Sequence, residues 1–281
     1  VTVAAALLNA CLITNRKPGD TRIVICGAGA AALSSAAMLV EMGINKEQIT
    51  MVDSKGVINS RRTDLTALKA RFATKNSAET LHDALKGADI FIGLSRGDIL
   101  RDDDLALMAA KPIIFALANP TPEIPYLRAK ELRPDAIVAT GRSDSPNQIN
   151  NVIAFPYRGA LDTLSTTINE QMKMAAAEAI ARIAREETPQ CVEEEYGHKL
   201  RFGTDYILPK PGDRRLLCEV SAAVARAAME SGVARRGIAS FKEYAQTLQR
   251  RIDNGNFFAR EAPHRHPQPQ HRKHHPRKET M

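Results

Sequence analysis

Short apolar runs alternate with amphipathic stretches between Arg22 and about residue 140. Runs rich in β-branched residues predict strands, and apolar positions at helical spacing predict the helices between them. The predicted strands are Ile23–Cys26, Ile49–Val52, Ile90–Gly93, Ile113–Leu117 and Ala136–Ala139. The predicted helices are Ala30–Met42, Leu65–Phe72, Ala78–Leu85, Asp103–Ala109 and Tyr126–Leu132. This alternation predicts an α/β fold, a doubly wound parallel sheet with helices on both faces.

The first predicted strand ends on Gly27-Ala-Gly29, and a helix of small residues follows. Gly27 permits a tight turn, Gly29 lets the backbone approach a pyrophosphate, and the helix N-terminus offers unpaired N–H groups to phosphates. Asp53 ends the second strand, about 20 residues further on, where an acid that binds a ribose is expected. The order of these parts predicts a Rossmann-like dinucleotide site made by Gly27, Ala28, Gly29, Ala30, Ala31 and Asp53. A doubly wound domain with an empty or altered crevice is the alternative.

The residues after Asp53 leave the choice between NAD and NADP open. Ser54 and Lys55 follow directly, and Arg61 and Arg62 come shortly afterwards. A cation here would meet the 2′-phosphate of NADP, whereas a carboxylate would bind the 2′-hydroxyl of NAD. A solvated loop explains the same cations equally well.

Polar residues follow three further predicted strands, where an open α/β sheet binds its ligands. Ser95 lies in a small, hydroxylic segment where the cofactor would pass, and Pro120 keeps Asn119 out of the helical region, so that its amide can enter the crevice. After Thr140 comes a dense group of amides that suits a polar substrate or the nicotinamide ribose: Asn147, Gln148, Asn150 and Asn151. Loop and helix-cap chemistry is the alternative for each segment.

Other polar residues predict no further chemistry. We interpret His82 and His198 as surface residues without plausible partners, and residues 193–195 as a solvated turn. No metal site is predicted, because no pair of carboxylates has ligand spacing on a credible helix face.

The rest of the chain is predicted to be helical, apart from its end. Residues 1–14 predict a packed helix, and three further helices are predicted at Leu164–Arg185, Glu219–Glu230 and Phe241–Ile252. The last residues lack apolar periodicity and are rich in His, Arg and Pro. We therefore divide the chain into a dinucleotide-binding domain (1–160), a helical continuation that braces it (161–253) and a disordered tail (254–281).

The composition indicates which classes of partner the protein binds and where in the cell it is located. The net charge is +7, but the residues from Arg260 onward carry six cations and two acids, or +4 of that total. A basic face for nucleic acid is therefore not implied. No apolar run approaches the roughly 20 residues of a membrane span, and four scattered cysteines suggest reduced thiols in the cytoplasm.

Several segments together resemble the bacterial malic enzymes. The matching segments are residues 27–31, 51–57, 91–95, 112–123, 139–144, 147–152, 155–162 and 205–211. The resemblance implies oxidative decarboxylation of malate to pyruvate and CO₂, with NAD or NADP and Mg²⁺ or Mn²⁺, in a homo-oligomer. It also implies that residues 27–31, Asp53, Ser54, Lys55 and Ser95 bind the cofactor, and that Asn119 and Asn151 line the nicotinamide and malate pocket.

The sequence departs from the family pattern in two respects. The catalytic Tyr and Lys of the family, and its metal-binding carboxylates, belong to an N-terminal domain that precedes the segments found here. The family pattern also has two more residues between Tyr157 and Arg158, and their loss is expected to shift the loop near Asn151. We therefore expect a malic enzyme fragment that binds cofactor but lacks catalysis by itself.

Two other functions stay open at this point. One is a non-catalytic dinucleotide-binding module or remnant, which would bind cofactor without turnover of malate. The other is a different hydride-transfer enzyme of the amino-acid dehydrogenase type, which would need a general-base Lys at a strand end.

Overall fold

A computed structural model describes residues 1–154 and 158–254 of the chain. Six strands form one sheet in the order β3-β2-β1-β4-β5-β6, and all neighbours are parallel except β3, which runs antiparallel to β2. The strands are β1 (Ile23–Cys26), β2 (Ile49–Asp53), β3 (Gly56–Val57), β4 (Ile90–Gly93), β5 (Ile113–Ala116) and β6 (Ile137–Thr140). The predicted α/β fold with a doubly wound parallel sheet is confirmed.

The described α-helices are α1 (Thr2–Ile13), α2 (Ala30–Glu41), α3 (Ala67–Ala70), α4 (Leu81–Leu85), α5 (Asp102–Ala106), α6 (Tyr126–Leu132), α7 (Arg158–Asp162), α8 (Glu170–Arg185), α9 (Gln190–Tyr196), α10 (Ser221–Glu230) and α11 (Phe241–Asp253). Short 3₁₀ turns cover Pro18–Asp20, Lys46–Gln48 and Asn151–Ala154, and a π-helical turn at Leu216–Val220 leads into α10. None of the helices in the described residues is long and apolar enough to cross a membrane.

The sheet is buried on both faces because side chains alternate along each strand. On β1, Ile23 and Ile25 pack into a core shared with α1, α2, α8 and α10, whereas Val24 and Cys26 pack into a second core on the other face. Burial on both sides explains why the strands have nearly continuous apolar sequences.

The N-terminal helix belongs to this core, as its sequence predicted. Asn9 is fully buried and donates hydrogen bonds to the carbonyls of Ala181 (2.9 Å) and Ile207 (2.8 Å). These bonds join α1 to α8 and to the segment after α9. The proposed division of the chain at residue 160 stays a prediction, and most of the tail from 254 lies outside the described residues.

Several predicted helices have different bounds, among them α5, which ends at Ala106 and not at Ala109. The helix predicted from Leu164 begins at Glu170, because Asn169 caps it by accepting a hydrogen bond from the Met172 N–H (3.0 Å). Helices α3 and α4 are shorter than predicted, and α4 begins only after a capping box formed by Thr80 and Asp83.

The solvated turn predicted at residues 193–195 is wrong. These residues lie in α9, which ends at Tyr196 and is capped by Gly197 with a positive φ of 73°. The Glu193 carboxylate accepts hydrogen bonds from the Leu200 N–H (3.1 Å) and from Arg201 (2.9 Å). The acidic run is therefore part of a helix whose side chains hold the following loop.

All four cysteines are free thiols, as predicted. Cys11, Cys26 and Cys218 are buried, and Cys191 is exposed. Burial raises the pKa of Cys11 and of Cys218 to about 11.

Candidate functional site: a groove beside the glycine turn

The turn after β1 is closed by a glycine that no other residue could replace without strain. Gly27 has a φ of +122°, and a Cβ atom placed on it would lie 2.4 Å from the carbonyl oxygen of Leu94. Its N–H donates to the Val52 carbonyl (2.7 Å), so the turn is tied to β2 as well. The conformation that the sequence predicted for Gly27 is therefore required by the backbone around it.

Gly29 has a different role. Its backbone is extended, with φ −81°, and no atom lies within 4 Å of the position where its Cβ would be. It is the N-cap residue of α2 and provides no side-chain cap, so the first N–H groups of the helix, from Ala30 and Ala31 onward, have no side-chain acceptor at this end. Open space in front of a helix N-terminus suits an anion.

A groove of about 1060 Å³ opens in front of this turn, at the carboxyl ends of β1, β2 and β4. Seven of the predicted cofactor residues line it: Gly27, Ala28, Gly29, Asp53, Ser54, Lys55 and Ser95. Ala30 and Ala31 form the first turn of α2 behind Gly29, whereas Asn119 and Asn151 are outside this lining. The volume is that of a site for a large organic ligand.

The carboxylate of Asp53 already accepts four hydrogen bonds, three of them from cationic side chains. Arg62 donates two hydrogen bonds to it (2.8 and 3.1 Å), Lys69 donates a third (2.8 Å) and the Lys55 N–H a fourth (3.0 Å). Only 8% of the side chain is exposed. Burial by itself would raise the pKa of Asp53, but the hydrogen bonds from Arg62, Lys69 and Lys55 hold that pKa well below its ordinary value.

Two lysines face the groove next to Asp53. The Lys55 ammonium is 2.7 Å from Asp64 and its side chain is 68% exposed, while Lys69 lies on α3. Sequence analysis missed Lys69, because nothing in the local pattern shows that a helix 16 residues later returns to Asp53. Of the cations proposed for a 2′-phosphate, Arg62 bonds Asp53 and Asp64, whereas Arg61 faces Glu79 (3.8 Å) and is outside the groove lining.

A buried carboxylate supports the loops after β4 and β5. Glu123 is 0% exposed and accepts hydrogen bonds from the N–H groups of Ser95 (3.1 Å) and Ala118 (3.0 Å). A Cβ on Gly93 would lie 2.2 Å from its carboxyl carbon. Burial raises the pKa of Glu123, against the effect of the two backbone donors. Sequence analysis assigned no role to this residue.

Asn119 lies at the end of β5, exposed, and precedes a cis peptide bond to Pro120. Its amide nitrogen donates to the Leu117 carbonyl (3.3 Å) and would be 2.8 Å from a Cβ on Gly141, so the side chain lies against the end of β6. This placement agrees with a side chain at the carboxyl edge of the sheet.

The amides after β6 do not act as one ligand-binding group. Asn147 and Gln148 are buried: Asn147 donates to Val138 (3.0 Å) and Thr204 (2.7 Å), and Gln148 donates to the Ser143 carbonyl (2.7 Å). For these two residues the predicted ligand contact is wrong, because their hydrogen bonds hold the loop.

Asn150 makes a local turn by accepting from the Val152 N–H (3.0 Å), while Asn151 is exposed at the start of a 3₁₀ turn. Of the four amides, only Asn151 is exposed, and its contact with a ligand stays a prediction. The shortened segment at Tyr157 lies outside the described residues.

The prediction that His82 lacks a partner is wrong. Its Nδ1 atom is 2.7 Å from the buried carboxylate of Asp104, whose second oxygen accepts from the Arg101 N–H (2.9 Å). Burial opposes ionisation of Asp104, but the hydrogen bonds from Arg101 and His82 lower its pKa. His82, Arg101 and Asp104 also line the groove. His198 is exposed, as predicted.

His82, Asp103 and Asp104 have ligand atoms within 4.8 Å of one another. The Arg101 guanidinium is 3.5 Å from Asp103 and from Asp104, so a metal ion here would compete with a cation already present. We therefore assign no metal site to this cluster.

Comparison with known proteins gives a consistent result. The family model described as the malic enzyme NAD-binding domain matches residues 1–193. The chain is 49% identical over 257 residues to an NADP-dependent malic enzyme of Rhizobium meliloti, covering 90% of this chain and 34% of the relative. It is 46% identical over 261 residues to an NAD-dependent malic enzyme of the same organism, covering 92% of this chain and 34% of the relative.

A solved malic enzyme from Entamoeba histolytica superposes with a TM-score of 0.79 at 30% identity, over 91% of this chain and 52% of that one. The chain thus spans about a third of the length of the two relatives and about half of the solved structure. The resemblance predicted from the sequence is confirmed. Because the family model matches 193 of its 281 residues, the chain belongs to the malic enzyme family, in the part that forms the NAD-binding domain.

Proposed function

We propose that the chain is the cofactor-binding part of a malic enzyme that oxidises and decarboxylates malate to pyruvate and CO₂, and that its preferred cofactor is NADP. The observation that carries the cofactor preference is the cationic surroundings of Asp53. The similarity to NADP-dependent enzymes supports the proposal, while the similar NAD-dependent enzyme leaves the choice to the site itself.

The hydrogen bonds at Asp53 argue against NAD. A ribose 2′-hydroxyl would have to donate to this carboxylate, yet each of its oxygens already accepts two hydrogen bonds from Arg62, Lys69 and the Lys55 backbone. A hydroxyl that binds here must displace a cation from a buried partner, which costs about 1–3 kcal/mol.

A 2′-phosphate needs no such displacement. Three cations, Lys55, Arg62 and Lys69, surround two acids, Asp53 and Asp64, so the cluster carries a net charge of +1. Lys55 and Lys69 line the groove and can donate further protons to phosphate oxygens. Asp53 then serves the site by holding these cations in place.

The remaining groove residues suit the rest of the dinucleotide. The turn from Gly27 to Gly29 and the N–H groups of Ala30 and Ala31 would bind the pyrophosphate, and Ser95 would lie beside it. Asn119 and Asn151 would contact the nicotinamide ribose and malate at the ends of β5 and β6. The bound cofactor supplies the hydride acceptor, and these residues orient it.

Asn119 and Asn151 carry amide side chains, so these two residues do not form a carboxylate site for Mg²⁺ or Mn²⁺. We therefore propose that the metal ligands and the catalytic Tyr and Lys come from another part of the complete enzyme. The 281-residue chain by itself should bind NADPH without malate-dependent turnover. We also propose that the complete enzyme is cytoplasmic and homo-oligomeric, and that it has no nucleic-acid or membrane partners.

The test is the affinity of the purified chain for NADPH and NADH, measured by the fluorescence of the reduced nicotinamide. NADPH should bind at least about 10-fold more tightly, which corresponds to 1.4 kcal/mol. Lys69→Met should remove most of this difference, whereas Lys242→Met, on the exposed surface of α11, should leave it unchanged. Equal affinities for the two cofactors would refute the preference, and no binding of either would refute the function.

A further inference from the structure

Arg96, in the loop after β4, lines the same groove and is exposed. This loop lies directly against the glycine turn: the Leu94 N–H donates to the Cys26 carbonyl (2.8 Å), and the Ser95 hydroxyl lies 3.4 Å from the Cys26 sulfur. The Leu94 carbonyl is the group that leaves no room for a Cβ on Gly27. Arg96 therefore begins two residues from the closest approach between the loop and the turn.

The backbone on either side of Arg96 is held firmly. The Ser95 N–H donates to the buried carboxylate of Glu123 (3.1 Å), and Gly97 is so close to Thr121 that a Cβ would lie 2.6 Å from its side chain. The exposed guanidinium is thus attached to a fixed point at the groove wall.

Arg96 differs from the other cations of the groove in having no partner. Lys69 bonds Asp53, Lys55 bonds Asp64, and Arg101 pairs with Asp103 and Asp104. Within residues 1–154 and 158–254, Arg96 makes neither a hydrogen bond nor an ion pair. An arginine without an acid beside it, in a groove with an open helix N-terminus, indicates a ligand that carries negative charge.

We infer that Arg96 binds the pyrophosphate of the dinucleotide from the side opposite the N-terminus of α2. This inference rests on the proposed function and adds a binding residue to it. The pyrophosphate carries two negative charges, and a guanidinium can donate two parallel hydrogen bonds to its oxygens while the helix N–H groups bind it from the other side. The groove then has two separate anion subsites, one at Arg96 and one at Lys55 and Lys69.

The two subsites can be separated with ligands that contain one anion or both. NADPH carries the pyrophosphate and the 2′-phosphate, NADH carries the pyrophosphate alone, and adenosine 2′-monophosphate carries the 2′-phosphate alone. In the full chain, Arg96→Gln should lower the affinities for NADPH and for NADH by the same factor. The expected factor is about 10- to 100-fold, as for a lost charged hydrogen bond. Its affinity for adenosine 2′-monophosphate should change less than 2-fold.

Three further variants complete the design. Arg96→Lys should retain part of the affinity, because the charge remains while the bidentate geometry is lost. Lys69→Met should show the opposite pattern: its affinity for adenosine 2′-monophosphate should fall, while its affinity for NADH should change little. Arg250→Gln, on the exposed surface of α11, is the matched control and should leave every affinity unchanged.

Each outcome decides the matter. If Arg96→Gln binds NADPH with an affinity within 2-fold of that of the unsubstituted chain, the inference is refuted while the proposed function stands. An equal loss for adenosine 2′-monophosphate also refutes it, because the arginine would then act on the groove as a whole. If the unsubstituted chain binds none of the ligands, the proposed function and this inference fall together.

Discussion

The two glycines of the turn should respond to the same substitution in opposite ways. In Gly27→Ala, the new Cβ meets the Leu94 carbonyl oxygen at 2.4 Å in a backbone conformation that is strained for any L side chain. The strained φ costs about 1–3 kcal/mol. Relief of the overlap, which requires β1 and the Leu94 loop to move apart, costs a further ~1–3 kcal/mol. The expected loss of unfolding free energy is therefore about 2–6 kcal/mol, a large part of the roughly 5–15 kcal/mol available to a typical protein.

Gly29→Ala is the matched comparison. Its Cβ meets nothing within 4 Å, and the cost is limited to the poorer N-cap, below about 1 kcal/mol. Because the added methyl group enters the space in front of α2, NADPH affinity should fall by about 10-fold or more, the equivalent of a lost phosphate hydrogen bond. Stability is measured by urea unfolding followed by circular dichroism, and affinity by NADPH fluorescence. A loss below 1 kcal/mol in Gly27→Ala, or equal destabilisation by both variants, would refute this reasoning.

Two further predictions concern the buried carboxylates. Because the folded-state pKa of Asp53 lies below its unfolded value of about 3.9, its stabilising effect is present above that pH and is lost as the pH falls further. Unfolding free energies measured from pH 5 to 3 should therefore fall less steeply in Asp53→Asn, by up to about 1.4 kcal/mol per pH unit, and an unchanged slope would contradict the ion cluster. Glu123→Ala should lower the free energy of unfolding by about 2–4 kcal/mol, because the N–H groups of Ser95 and Ala118 lose their acceptor, whereas a loss below 1 kcal/mol in urea unfolding would show that water replaces the carboxylate.

The central strands could be predicted from the sequence almost to the residue. β1 and β4 match their predicted bounds because burial on both faces requires unbroken apolar runs, which differ clearly from the segments around them. β3 was missed, since a two-residue strand at Gly56–Val57 has no periodicity to detect. The start of α8 was predicted too early, at Leu164, because apolar residues precede the helix. Leu164 itself lies outside the helix and has a positive φ of 50°.

The parts of the site that depend on the local order of residues along the chain could be predicted from the sequence. The glycine turn and Asp53 follow from local sequence order, so their place at one groove could be foreseen. Lys69 and Glu123 could not, because their roles depend on contacts with residues 16 and 28 positions away. The buried amides of Asn147 and Gln148 show the opposite error: residue type suggested a ligand, but burial assigned their hydrogen bonds to the protein.

The loop that carries the amides also protects the outer strand of the sheet. The Thr140 N–H donates to the Asn147 carbonyl (3.1 Å), and the Ile149 N–H donates to the Thr140 carbonyl (2.8 Å), so the loop covers the end of β6. An uncovered edge strand would offer these groups to another chain and promote aggregation. Any motion of Asn151 toward a ligand is therefore restricted to the residues beyond Ile149, because a larger opening would expose the edge of the sheet.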